Sequence, residues 1–192
     1  ITSNLLRMDN MFELCESLIS LDLSIFNTQL VITMNSLFKN CKSLTTINIL
    51  NFYTSNVLDM SSMFESCTSL KTININTNNF KTSSVINMEN MFKNCGNLTN
   101  IDISNFDTSK VENMKSMFEN CENLISLNIS NFNTINVLDM YKMFRNCKSI
   151  KLLDTSKFSL YNVINVTRMF ENSQALSSSI FSLHQIIMVL LI

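Results

Sequence analysis

Apolar residues recur along this chain in two alternating patterns, and the first predicts a β-strand. In the stretch "SLTTINI", the residues Ile47, Asn48 and Ile49 alternate between apolar and polar. The stretch "NLISLNI" repeats this alternation further along the chain. A period of two residues is typical of a strand that is buried on one face. We therefore expect a short strand wherever the pattern returns.

The second pattern predicts a short helix. In the stretch "NVLDMYKMFRNC", Val137, Met140, Phe144 and Cys147 are separated by steps of 3, 4 and 3 residues. Steps of this size place apolar side chains on one face of a helix. The stretch "SKVE", residues 109–112, matches a capping box, which would start such a helix.

Both patterns return with a period of 26 residues, which indicates a solenoid. One interval is 28 residues long, and we assign its excess to an insertion of Thr77 and Asn78 in a loop. Phe170 and Ser173 continue the series where the next phenylalanine and cysteine would fall. The repeated phenylalanines are Phe12, Phe38, Phe64, Phe92, Phe118 and Phe144, and the repeated cysteines are Cys15, Cys41, Cys67, Cys95, Cys121 and Cys147.

A single repeat cannot bury its apolar stripe, whereas stacked repeats cover one another. We therefore predict an α/β, leucine-rich-repeat-like solenoid with one short parallel strand and one short helix in each 26-residue coil. Residues 1–176 would form about six to seven coils, beginning within a coil. Val, Met, Phe and Cys side chains would form a continuous hydrophobic spine through these coils.

Residues 177–192 form a degenerate apolar tail that includes the stretch "IFSLHQIIMVLLI". This stretch is too short to cross a bilayer, which takes about 20 residues. Three interpretations stay open, namely a cap on the solenoid, the start of a membrane anchor, and a truncation artefact. We interpret the chain as a fragment, because it starts at Ile1 and carries no signal peptide.

The residue after each repeated phenylalanine alternates in charge along the chain. On adjacent coils, opposite charges attract, and each exposed pair contributes about 0.2–1 kcal/mol. Such pairs help to fix the register of the coils. The residues are Glu13, Lys39, Glu65, Lys93, Glu119, Arg145 and Glu171.

Composition narrows the class of protein further. Charged residues make up only 15% of the chain and the net charge is −1, which argues against a nucleic-acid-binding surface. Proline is absent and Gly96 is the single glycine. The turns must therefore use Asn, Asp and Ser, which tolerate left-handed backbone conformations better than most residues do.

The six cysteines suggest either disulfides or a buried ladder of free thiols. Their common phase favours the reduced ladder, because side chains that point in the same direction are poorly placed for bridging. A zinc site would lack ligands, since the chain has no C-x-x-C pair and His184 is its single histidine. The methionines follow the same helical spacing and are interpreted as core residues, so no cofactor is expected.

The repeat resembles that of a known family. The stretch "LISLNISNFNTINVLDMYKMFRNC", residues 124–147, is similar to the 26-residue repeat of BspA-like leucine-rich surface proteins, also called the DUF285 repeat. Leu37 and Val166 in place of Met, and Ser173 in place of Cys, depart from the pattern. The resemblance implies a leucine-rich-repeat-like solenoid, display at the cell surface or secretion, and a role in adhesion. It implies no catalytic residue.

The outward residues of the predicted strands would form a polar, nearly neutral concave face. This face is a candidate binding surface for protein or glycan partners. It lacks the aromatic and Arg side chains of tight interfaces, so we expect weak, multivalent contacts. The alternative is a solvated ladder in which amides hydrogen-bond from strand to strand. The residues are Asp22, Asn48, Asn74, Asp102, Asn128 and Asp154.

We predict a non-enzymatic interaction or adhesion module whose repeats do not insert into a membrane. A chain with one glycine contains neither a P-loop nor a G-x-G-x-x-G motif, and a nucleophile–histidine pair would depend on His184 in the tail. Two alternatives stay open. One is a structural spacer or coat element that associates with copies of itself, and the other is an intracellular protein-binding repeat protein.

Overall fold

The computed structural model describes residues 2–176, and over this range the chain is a stack of parallel coils. One bridge residue in each coil pairs in parallel with the corresponding residue of the next. The predicted solenoid is thereby confirmed. The boundary between residues 176 and 177 stays a prediction, because the tail and its three interpretations lie outside the described residues. The bridge residues are Arg7, Thr33, Asp59, Asn87, Asn113, Asp139 and Asn165.

One side of the stack, here called the sheet side, contains three short strands. They are β1 (Ser20–Asp22), β2 (Thr46–Asn48) and β3 (Thr72–Asn74), paired in parallel in that order. In the later described coils, the corresponding residues 100–102, 126–128 and 152–154 form no paired strand. The prediction of a strand in every coil is therefore right for three coils and wrong for the others. Pairing ends at the coil that carries the insertion, where residues 77–79 form a turn.

The opposite side, here called the turn side, consists of consecutive turns and not of helices. Between residues 2 and 176 the structure contains no helix, so the prediction of a short helix in each coil is wrong. None of the described chain could therefore cross a membrane as a helix. The turn segments are residues 9–14, 35–40, 61–66, 89–94, 115–120, 141–146 and 167–172.

Left-handed residues explain why the apolar steps of 3 and 4 do not produce a helix. Each turn segment holds two residues with φ between 53° and 62°, four positions apart, such as Asn90 and Asn94. A right-handed helix cannot contain such residues. Of the 14 positions, seven are Asn and four are Ser, whose short polar side chains tolerate this region. The exceptions are Leu14, Lys142 and Arg168.

The backbone hydrogen bonds of a turn segment alternate between two kinds of acceptor. The amides of Met91 and Lys93 donate within the coil, three residues back along the chain. The amides of Asn90, Phe92 and Asn94 donate instead to carbonyl oxygens of the next coil, over 2.8–2.9 Å. A helix would satisfy all these amides internally. Because every second amide leaves the coil, the backbone itself ties the stack together.

The repeated phenylalanines form one column through the core. Adjacent rings from Phe12 to Phe170 lie 5.4–5.6 Å apart between centroids, with interplanar angles of 2–15°. These distances fall in the favourable range for aromatic pairs. Val, Met and Cys side chains of the same coils are buried beside the column, as Val111, Met114 and Cys121 illustrate. The solenoid therefore has one continuous spine on its turn side.

Candidate functional site

The outward residues of the sheet side lie in one register along the strands. Asp22 pairs with Asn48, and Asn48 with Asn74, as neighbours across β1, β2 and β3. Five of the six predicted face residues are exposed, and Asn48 is half-buried. Asp102, Asn128 and Asp154 occupy the same position in the later coils, beyond the paired strands.

These face residues also hold the turn that follows each strand position. Oδ1 of Asp102 accepts hydrogen bonds from the backbone N–H of Ser104, over 3.0 Å, and from its hydroxyl, over 2.6 Å. These bonds lower the pKa of Asp102 below its ordinary value. Bonds from Ser156 lower the pKa of Asp154 in the same way. Asp22, Asn48 and Asn128 accept equivalent backbone bonds two residues ahead. Such Asx turns fix the side chains and leave their second polar atom toward solvent.

Strand-to-strand bonding between these amides is weak in the structure. Asn48 Nδ2 lies 3.5 Å from Asp22 Oδ1, at the outer limit of a hydrogen bond. The alternative of a hydrogen-bonded ladder therefore describes the face less well than a row of separate Asx turns does.

The repeated cysteines form a ladder of free thiols. Five of the six are buried, whereas Cys15 in the first described coil is exposed. Each buried thiol donates a hydrogen bond from Sγ to the carbonyl oxygen of the repeated phenylalanine in the preceding coil, as Cys95 does to Phe64 over 3.1 Å. Ser173 replaces cysteine and donates the same bond to Phe144 over 2.6 Å. The position thus requires a small donor that links two coils.

Burial makes these thiols poor nucleophiles. Desolvation raises the pKa of Cys41 to about 11 and that of Cys147 to about 12. It also raises the pKa of Cys67, Cys95 and Cys121 well above the ordinary value. Because the thiolate is the reactive form, the ladder is suited to packing and not to chemistry. Between residues 2 and 176, no three His, Cys, Asp or Glu side chains gather in a way that could hold a metal ion.

The alternating charges meet across coils on the turn side. Lys39 Nζ lies 3.0 Å from Glu65 Oε2, and Lys93 Nζ lies 3.4 Å from Glu119 Oε2. Arg145 contacts the carboxylates of both adjacent coils, Glu119 at 3.0 Å and Glu171. The predicted alternation therefore produces ion pairs at four of the six neighbouring positions in this column.

Glu119 is the centre of the densest part of this column. Its side chain is only 4% exposed, and Lys142 approaches it at 3.8 Å in addition to Lys93 and Arg145. Burial alone would raise the pKa of Glu119. Hydrogen bonds from Arg145 and Ser116, together with the nearby lysine charges, outweigh burial and bring this pKa below its ordinary value. Glu119 is therefore ionised and tightly held.

Two further ladders were not singled out from the sequence. Thr28, Thr54, Thr82, Thr108 and Thr134 are buried, and each donates its hydroxyl to a carbonyl oxygen of the next coil. The residue before each repeated cysteine forms a second column, here called the amide ladder. In it Asn120 donates to Asn94 Oδ1, and Asn146 to Asn120 Oδ1, each over 2.6 Å. The signal for both was present, because these residues recur in the 26-residue phase. The amide ladder comprises Asn40, Ser66, Asn94, Asn120, Asn146 and Asn172.

The repeat also matches a family model. The family described as "Mycoplasma protein of unknown function, DUF285" matches residues 1–97 and again residues 70–183. No curated protein matches the chain.

Two solved structures are similar at low identity. A leucine-rich repeat protein from Eubacterium ventriosum is 19% identical, with a TM-score of 0.42, over 82% of this chain and 46% of that one. A leucine rich cell surface protein from Faecalibacterium prausnitzii is 17% identical, with a TM-score of 0.25, over 92% of this chain and 77% of that one. This chain thus spans about half the length of the first of them.

Proposed function

Because the chain belongs to the DUF285 family, as the resemblance of its repeat predicted, we propose that it is a non-enzymatic interaction module displayed at the cell surface. Its sheet side presents the same polar contact once in every coil. The partners are proteins or glycans of another cell, bound weakly and at several coils together.

The observation that carries this proposal is the exposed row of Asx turns. Five of the six carboxylates and amides, all but Asn74, accept a backbone bond, so binding costs little of their side-chain entropy. The row repeats at the spacing of parallel strands, about 4.8 Å, so a long partner meets several equivalent groups. Weak contacts that repeat in this way add up through avidity.

A matched pair of substitutions tests the proposal. Asn128→Lys introduces a charge on the sheet side, and Asn123→Lys introduces the same charge at an exposed position away from it. Beads coated with the 192-residue chain are applied to cultured epithelial cells, and adhering beads are counted. We expect Asn128→Lys to reduce adhesion about tenfold and Asn123→Lys to leave it within about twofold. Circular dichroism verifies that both variants are folded.

The alternatives predict different outcomes. A coat element would self-associate in analytical ultracentrifugation while its beads fail to adhere. An intracellular repeat protein would do neither. Equal adhesion of the two variants would also contradict a role for the sheet side.

A further inference from the structure

A shallow groove lined mainly by polar residues runs along the turn side, on a different face from the sheet, and the carbon atoms of these residues supply more of its surface than their nitrogen and oxygen atoms do. It has a volume of about 480 Å³ and crosses four coils. Part of the amide ladder forms the floor of the groove. The residues that follow the repeated cysteines form its wall. A second hollow of about 370 Å³ continues along the same two columns at Asn146, Lys148, Asn172 and Gln174.

The groove exists because two side chains in that wall are short. The residues that follow the cysteines are Lys42, Thr68, Gly96 and Glu122 in these four coils. Thr68 and Gly96 leave the space open between the two longer side chains. A Cβ added at Gly96 would have Asn120 O as its nearest neighbour, at 3.9 Å, so the space is not needed for packing.

The floor offers regular hydrogen-bonding capacity. Asn94 donates to Ser66 Oγ over 3.1 Å, and Asn120 donates to Asn94 Oδ1. A side-chain amide has two N–H donors and two acceptor lone pairs. The ladder uses one N–H donor and one acceptor lone pair of each of these amides. Unused donors and acceptors thus remain at intervals of one coil along the groove.

The charges at the two ends are already neutralised. Lys42 lies 2.8 Å from Glu16, and Glu122 lies 3.0 Å from Lys148. A charged ligand would find no unpaired opposite charge in the groove and would meet one like charge. The groove therefore favours a neutral ligand that both donates and accepts hydrogen bonds.

We propose that this groove binds an uncharged glycan chain. Sugar hydroxyls both donate and accept hydrogen bonds, and an extended glycan presents them on every ring to groups that recur at about the 4.8 Å between adjacent coils of a parallel array. An extended peptide advances about 3.3 Å per residue and falls out of step with the ladder. No aromatic side chain lines the groove, so binding depends on a few hydrogen bonds and the dissociation constant is expected to be on the order of 1 mM.

A pair of neighbouring substitutions tests the site. Gly96→Gln fills the groove, whereas Asn97→Gln adds the same side chain at the next position, which is exposed and outside the groove. The 192-residue chain, displayed on beads, is applied to a printed array of neutral, carboxylated, sulfated and peptide probes. We expect the beads to be retained on neutral oligosaccharides. Gly96→Gln should lower this retention about tenfold, and Asn97→Gln should change it less than about twofold.

A second variant protects the result against misfolding. Asn120→Ser removes one amide, and Ser66 shows that serine fits the ladder with the same positive φ. We expect it to weaken neutral-glycan binding about fivefold while circular dichroism is unchanged. Retention only on charged or peptide probes, no retention at all, or equal binding by Gly96→Gln and the wild type would overturn the proposal. Asn128→Lys distinguishes the groove from the sheet-side function. This variant should keep glycan binding in the groove even where it loses cell adhesion.

Discussion

The two sides of this solenoid hold their coils together by different means. On the sheet side, paired strands of three residues link the first three described coils, and later coils are linked there only by separate bonds such as that from Ile125 N–H to Thr99 O, over 2.9 Å. On the turn side, bridges and turn amides link every described coil to the next. The segment around Phe92 alone donates four backbone amides to the following coil, over 2.8–3.0 Å.

This difference indicates where the register of the stack is set. The bridge residues of every described coil, the column of repeated phenylalanines, the thiol bonds and the alternating ion pairs lie on the turn side. The outward residues of the sheet side take no part in these contacts and have more freedom to serve a partner. Functional variation is expected at the outward residues of the sheet side, and structural constraint at the buried ladders of the turn side.

Amide hydrogen exchange should show the largest difference between the turn side and the sheet side. The amides of Asn90, Phe92 and Asn94 are bonded to the next coil and open only when coils separate. The amides of residues 100–102 lie outside any paired strand. We expect the first set to exchange at least about a thousandfold more slowly, measured by NMR in deuterated buffer. Equal protection of the two sets would mean that the sheet side is as firmly held as the turn side.

The same two sides differ in how well the sequence predicted them. The period, the alternation at β1, β2 and β3, and the insertion at Thr77 and Asn78 were recognisable, because each follows from local spacing. The helix was wrong because apolar steps of 3 and 4 also suit three successive turns. Asn and Ser at fixed positions, such as Asn90 and Asn94, were the sign of left-handed turns. Composition indicates that such residues form turns, but it does not show in which segments they lie.

The candidate sites show a similar limit. The row that contains Asp102 and Asn128 was found from alternation, whereas its Asx turns depend on the backbone after each strand position. The groove was not predicted. The residues that line the groove are recognisable in the repeat. The groove is open, however, because Thr68 and Gly96 become neighbours in space. Periodicity identifies columns, and only packing decides where a column is hollow.

After hydrogen exchange, the next largest effect is expected on the turn side, from removal of the buried carboxylate of Glu119. Glu119→Gln leaves Lys93, Lys142 and Arg145 around a neutral side chain. The three cations are 20–29% exposed and Arg145 keeps its contact with Glu171, so loss of this charged hydrogen-bond acceptor costs roughly 2 kcal/mol. The free energy of unfolding, measured with urea at pH 7, should fall by that amount. Glu122→Gln is the control, because Glu122 and Lys148 are about half exposed and their pair contributes under about 1 kcal/mol.

The pH dependence of the same variant has a definite sign. The pKa of Glu119 is lower in the folded chain than its ordinary value. Its contribution to stability is therefore complete above the unfolded pKa, about 4.3, and is lost as the pH falls through the folded pKa. The wild type should lose stability over this acidic range more steeply than Glu119→Gln does. Parallel pH curves for the two proteins would contradict the role assigned to Glu119.

The smallest effect is expected on the sheet side, at Asp102. Asp102→Ala removes the acceptor of both bonds from Ser104, at an exposed position where water replaces them. The free energy of unfolding should fall by about 1 kcal/mol or less. Asp102→Asn keeps an acceptor oxygen for the turn, so the free energy of unfolding should fall by even less. A loss from Asp102→Ala as large as that from Glu119→Gln would show that the Asx turns hold the coils in register. The sheet side would then be no freer than the turn side to change for a partner.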